Sequence, residues 1–135
     1  MAVFCNSDEL HHVMDMLWRR IKDDPGMSGK LVEAKLIVQF RYRDPEGTLT
    51  IDCSDGNEMK IIVGPTRLKP VIEMSMKADI AHEFWLGKVN VPMAIISGKI
   101  VSRGPTPKAL ALLPVIRPAY TLYPQVLQDA GKKSA

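Results

Sequence analysis

The stretch KLIVQFRYRDPEGTLTIDC, residues 35–53, decides the fold class. Leu36, Val38, Phe40 and Tyr42 alternate with Lys35, Gln39, Arg41 and Arg43. A period of two puts the apolar row on one face, so the run predicts a β-strand with a single buried side. Asp44-Pro45-Glu46-Gly47 has turn chemistry. Beyond it Leu49, Ile51 and Cys53 alternate with Thr48, Thr50 and Asp52, and the two runs predict a hairpin.

Upstream of this stretch the period is 3.6. Leu10, Val13, Met14, Leu17, Trp18 and Ile21 share one face of a helix over residues 8–23, with Ser7 as the candidate cap and Asp8 and Glu9 at the positive end of the dipole. Asp24-Pro25-Gly26 ends it. Downstream, Ser54-Asp55-Gly56-Asn57 predicts a turn and residues 59–63 a third strand. After Gly64-Pro65, Ile72, Met74 and Met76 alternate with Glu73, Ser75 and Lys77 in a fourth. These four strands read as a meander.

Asp79 then serves as a candidate cap for a helix carrying Ile80, Phe84 and Trp85, with Gly87 ending it, and Pro92 opens a short helix that stops at Gly98. Residues 99–103 predict a fifth strand. Thr106-Pro107 introduces Ala109, Leu110, Leu112 and Leu113, and Pro118 restarts a last helix through Ala119, Leu122, Tyr123, Val126 and Leu127. Strands bracketed by helices predict an α+β fold, a five-stranded, mostly antiparallel sheet covered by helices on one face. A single domain over residues 1–130 and a flexible tail over 131–135 are expected.

A length of 135 residues suits one core, and 46% hydrophobic against 24% charged residues excludes a chain too polar to fold. No apolar run approaches the roughly 20 residues that cross a bilayer. Val3, Phe4 and Cys5 give way at once to Asn6, Ser7, Asp8 and Glu9, which is not a secretory leader. Cys5 and Cys53 stand far apart with no histidine at ligand spacing, which fits a reducing cytoplasm and no zinc site. The formal charge is +3 with bases spread among acids, and nucleic acid is not the expected partner.

Catalytic patterns fail one by one. His11 and Asp15 lie one helical turn apart but lack a third ligand, so no metal is expected. His82-Glu83 begins a zinc-protease pattern, yet Leu86 occupies the place of the second imidazole. Gly87-Lys88 and Gly98-Lys99 could each end a phosphate loop. His82 and Met93 stand where its first glycine belongs, and Val89 and Ile100 where its hydroxyl belongs. Ser75 and Ser97 sit in no nucleophile elbow. The chain reads as a non-enzyme without a cofactor. What it has in quantity is methionine, eight in all, whose unbranched thioether repacks around irregular shapes and serves a forgiving core or a ligand surface alike.

Three segments carry a resemblance. MKADIAHEFWLGK (76–88) reads as an Asp-led helix ending in Gly-Lys. PMAIISGKIVSRG (92–104) is a short helix ending in Gly-Lys and then a strand ending in Gly. KALALL (108–113) is a leucine-rich covering helix. In this order and spacing they resemble the sterol carrier protein type-2 domain family, most strongly over residues 70–113, about a third of the chain. The resemblance implies a sheet and helices enclosing a hydrophobic tunnel. It also implies a protein that binds and carries lipids such as fatty acids, acyl-CoA or sterol- and isoprenoid-like compounds. The alternative it implies is a non-catalytic accessory protein that presents a lipophilic intermediate to partner enzymes. Two features depart from the pattern. The chain ends Lys133-Ser134-Ala135, which is no peroxisomal address, and Pro114, Pro118 and Pro124 must kink or break the covering helices.

On this reading the ligand is lined by Met74, Met76, Phe84, Trp85, Ile96, Ile100, Leu110, Leu113, Ile116 and Tyr120, the last with a hydroxyl that wants a polar partner. Expected partners are a lipid or another hydrophobic small molecule. Transient contact with a membrane surface, a homodimer or a partner enzyme is compatible with it.

Overall fold

The computed structural model describes residues 2–131; of the expected tail only Gly131 is included, and 132–135 lie outside the described residues. Helix α1 (Ser7–Asp23) buries Leu10, Val13, Met14, Leu17, Trp18 and Ile21, the face read from the sequence. Its cap is Asn6 in place of Ser7, because the Asn6 side chain accepts from Glu9 N at 2.9 Å and Ser7 is already helical. Asp24 does more than end α1. Its carboxylate accepts from Gly26 N at 2.9 Å and Met27 N at 3.2 Å and so opens α2 (Pro25–Glu33), a helix the sequence reading did not contain. Proline bars helix in the residue before it yet fits the first helical position, so one dipeptide both ends and begins a helix.

The sheet is built from β1 (Ile37–Arg43), β2 (Gly47–Asp52), β3 (Lys60–Val63), β4 (Ile72–Lys77) and β5 (Ile100–Arg103) in the order β3-β2-β1-β4-β5. Three ladders are antiparallel, as expected. The meander is not formed throughout: β4 lies parallel to β1, with Phe40 opposite Met74 and Tyr42 opposite Met76. Residues 64–71 carry the chain from the β3 edge past β2 and β1. They contain Pro65 and Pro70 and are anchored at their ends by Gly64 N to Thr48 O and Val71 N to Ile37 O, each 2.8 Å. A connection of this length has no need to close a hairpin.

One sheet face is polar. Gln39 Nε2 donates to Thr50 Oγ1 and Arg41 Nε donates to Gln39 Oε1, both at 3.0 Å, and Arg41 pairs with Glu73. Gln39 and Thr50 are buried there, and their mutual bond removes the penalty of hiding polar atoms. The other face carries the apolar row and receives the helices.

Those are α1, α2 and then α3 (Ala78–Trp85), α4 (Val91–Ile96), α5 (Thr106–Ala111), α6 (Leu113–Ile116) and α7 (Ala119–Asp129). Asp79 is inside the first turn of α3 and caps nothing; its Oδ1 accepts from Val3 N at 2.9 Å and ties the N-terminal segment to this helix. Thr106 likewise is the first residue of α5 and not its cap. The leucine-rich helix is split into α5 and α6, with Pro114 at the start of α6. Gly87 and Gly98 turn the chain out of α3 and α4 at φ of +79° and +81°, a region glycine enters without strain.

Helix α7 packs on α1 and α3, and the Tyr123 hydroxyl and His82 Nδ1 lie 2.7 Å apart with both side chains buried. Tyr123→Phe keeps the ring and removes this bond. It is expected to lower the unfolding free energy by about 1–3 kcal/mol, read as a shift of the urea midpoint at constant slope.

Candidate ligand cavity

The floor of the site is the apolar face of the sheet. Leu36, Val38, Phe40 and Tyr42 run along its centre, flanked by Ile51 and Cys53 on one side and by Met74, Met76 and Ile100 on the other. The roof is Trp18 of α1, Leu31 of α2, Ala81, Phe84 and Trp85 of α3, Val91 of α4 and Ala109 of α5, with Leu112, Leu113 and Ile116 completing it. Between them lies a cavity with about 90 Å³ open to the centre of a water-sized sphere, and about 870 Å³ once the surrounding space out to its mouth is counted.

The burial pattern agrees with a gap. Val38 and Phe40 belong to β1 and Met74 to β4, strands paired on both sides beneath the helices, yet all three are only half-buried. Their remaining surface faces the space the roof leaves. Helix α5 buries no residue at all, so this part of the roof spans the sheet without settling onto it. A water needs about 10–15 Å³ in the smaller measure and two to four polar partners; the cavity has room for several and walls that bond to almost none, so it suits an apolar occupant.

Three polar groups sit in the wall, and none is charged at neutral pH. Burial, with a smaller effect of Tyr123, pushes the Tyr42 hydroxyl far above its ordinary range. Trp18 Nε1 is buried without a hydrogen-bond partner among the described residues, its ring edge-on to Trp85 at 5.7 Å and 88°. Burial, followed by the negative charges of Asp52 and Asp55, pushes the Cys53 thiol up to about 11. Roughly one Cys53 in a thousand is then thiolate at pH 8. Iodoacetamide is expected to label the exposed Cys5 first and Cys53 at least about 100-fold more slowly, as peptide mass spectrometry would show.

Of the ten residues expected from sequence, the structure brings seven into this wall: Met74, Met76, Phe84, Trp85, Ile100, Leu113 and Ile116. Tyr120 packs edge-on against Phe84 and Trp85 at 5.7 and 6.4 Å, and Leu110 is half-buried beside Ala109, but neither is part of the wall. Ile96 is corrected outright. It is 78% exposed, because α4 turns Val91 and Ala94 inward and leaves Met93 and Ile96 outside. Six residues are too short a stretch for the phase of a helix to be read from its apolar positions.

Sequence reasoning missed Trp18, Leu31, Leu36, Val38, Phe40, Tyr42, Ile51, Cys53, Ala81, Val91, Ala109 and Leu112. For β1 the sequence showed the apolar row but not the gap above it. The period-two row that decided the fold is itself the floor. His11 and Asp15 are engaged elsewhere: His11 Nε2 accepts from Thr48 N at 3.1 Å, and Asp15 pairs with Arg19 at 3.0 Å. Among the described residues no group of three or more His, Cys, Asp or Glu could hold a metal, and no helix is long and apolar enough to cross a membrane.

No protein-family model and no curated protein matches the chain. Solved structures do. The chain is similar to the apo form of sterol carrier protein 2 from Yarrowia lipolytica, with a TM-score of 0.67 at 18% identity over 89% of this chain and 98% of that one. It is equally similar to the sterol carrier protein domain 2 of Helicoverpa armigera, at 0.66 and 19% over 89% and 96%. The fold is that of sterol carrier protein 2. The sterol carrier fold extends to the palmitated SCP2L2 of Aedes aegypti, at a TM-score of 0.52 and 18% identity over 76% of this chain and 92% of that one. At these identities the likeness is one of architecture, and what the sterol carrier fold holds here has to be argued from its own cavity.

Proposed function

We propose that this chain binds and carries hydrophobic small molecules, lipids as a class, in the space between its sheet and its helices. The observation that carries the reading is the apolar cavity itself, lined by nineteen residues of which none bears a charge. The palmitated relative supports an acyl chain as occupant. Burying about 300 Å² of hydrocarbon contributes roughly 7 kcal/mol at about 25 cal/mol per Å², enough for useful affinity after the costs of association. A charged head group finds no counter-charge inside, so a carboxylate or phosphate stays at the mouth while the tail is enclosed. Specificity for the tail is loose, because Met74 and Met76 repack around different shapes.

The role is carriage and not turnover. Cys53 is protonated and has no base beside it in the wall, and the Tyr42 hydroxyl stays neutral. Native mass spectrometry of the purified protein, followed by organic extraction, is expected to reveal bound lipid, and a fluorescent fatty acid is expected to be displaced by unlabelled fatty acid or acyl-CoA. A protein that carries nothing and binds no such probe would end this reading.

A further inference from the structure

The 45 residues from Phe84 to Gln128 contain no aspartate or glutamate and five basic residues, Lys88, Lys99, Arg103, Lys108 and Arg117. All 15 acids lie in the other 90 residues, against 13 bases, so the formal charge of +3 divides into a segment of +5 and a remainder of −2. The mixing of charges along the chain as a whole does not hold here. All five bases are exposed. Arg103 faces Glu73 at 4.0 Å, while the other four make no ion pair among the described residues.

This segment also builds the looser part of the roof, α5 and α6, and it contains α4. Val91 and Ala94 of α4 are buried, whereas Pro92 is exposed, Met93 is 56% exposed and Ile96 78%. At each end of the helix a glycine of positive φ is followed at once by an exposed lysine, Gly87-Lys88 and Gly98-Lys99. A lone exposed isoleucine is ordinary. Two large apolar side chains one turn apart, bracketed by lysines in a stretch of chain without acids, have the composition of an element that lies in a lipid interface. Its apolar tips reach the acyl boundary and its ammonium groups the phosphates, with the lysine stems spanning the distance.

We propose that α4, with Lys88 and Lys99 at its ends, is a docking face for an anionic lipid bilayer, through which the cavity behind it is loaded and emptied. Its purpose rests on the carrier reading. Charge complementarity selects the occupant: a second copy meeting this face symmetrically would bring Lys88 and Lys99 against their own copies, and a nucleic acid would leave Met93 and Ile96 without a role.

The test is co-sedimentation of the full chain with vesicles of phosphatidylcholine alone or mixed with phosphatidylglycerol, alongside fatty-acid titration in vesicle-free buffer. The protein is expected to bind the anionic vesicles, less so as salt rises. Ile96→Asp, and Lys88→Glu combined with Lys99→Glu, are each expected to weaken that binding about tenfold or more. Lys69→Glu, an exposed lysine in the β3–β4 connection, is expected to change it by less than about twofold, and all variants should bind fatty acid in buffer as the parent does. The proposal is overturned if the parent ignores anionic vesicles, if the α4 variants bind them undiminished, or if Lys69→Glu loses as much. It is also overturned if sedimentation equilibrium shows a dimer that Ile96→Asp disperses. Absence of fatty-acid binding by the parent would instead remove the carrier reading and leave the vesicle result standing.

Discussion

Gly104→Ala is expected to lower the unfolding free energy by at least about 3 kcal/mol, a large part of the roughly 5–15 kcal/mol that holds a domain folded. Gly104 follows β5 at φ +96°, and a Cβ there would lie 2.1 Å from Val71 O, 3.2 Å from Val71 C and 3.4 Å from Ile72 Cα. All three are backbone atoms at the start of β4, so no side-chain rotation relieves the overlap and the strand end must move. Gly98→Ala separates this clash from the backbone preference alone. Gly98 has φ +81° with nothing within 4 Å of a built Cβ, and its substitution should cost only about 1–2 kcal/mol. Equal losses for the two variants in urea unfolding would show that β5 does not press on β4 as described. Ile100, a wall residue, belongs to the same strand, so lipid binding should weaken along with stability in Gly104→Ala.

The second large effect falls on binding and spares the fold. Val38 is half-buried in the middle of the floor, and Val38→Trp projects a bicyclic ring into the gap above it. Fatty-acid affinity is expected to fall about 100-fold or more, roughly 3 kcal/mol, while stability changes by less than about 1.5 kcal/mol because the ring occupies space that was empty. A solid core would respond in the opposite way. Forcing tryptophan into packed atoms strains rotamers and backbone at a cost of about 1–3 kcal/mol or more, with no specific effect on lipid. Parallel measurement of the unfolding midpoint and the fatty-acid dissociation constant distinguishes the two.

Legibility of the fold followed the range of the interactions involved. The face of α1, the alternation in β1, β2 and β4 and the glycines that end α3 and α4 are local, fixed by periods of 3.6 and 2 and by the freedom of glycine. The caps were misplaced by one residue or more because Asn6 and Ser7, or Lys77 and Asp79, differ in role only once the backbone path is known. The parallel pairing of β1 with β4 was out of reach. Residues 64–71 have the composition of any loop, and which strand edge they reach depends on the assembled sheet. For the site, Met74 and Met76 stood out by type, whereas Val38 and Phe40 looked like any buried strand positions although they form the floor.

By itself the sequence determined the element types other than α2, which side of β1 is apolar, and that no recognised catalytic constellation is spelled out along the chain. Of the prolines expected to break the covering helices, Pro114 stands where α5 gives way to α6, whereas Pro124 lies inside α7. The tertiary structure alone decided that the apolar row of β1 is a floor under a gap. Patterning records which face avoids water. It does not record the distance between two such faces, which depends on how separate elements such as the short helices α5 and α6 come to lie over the sheet.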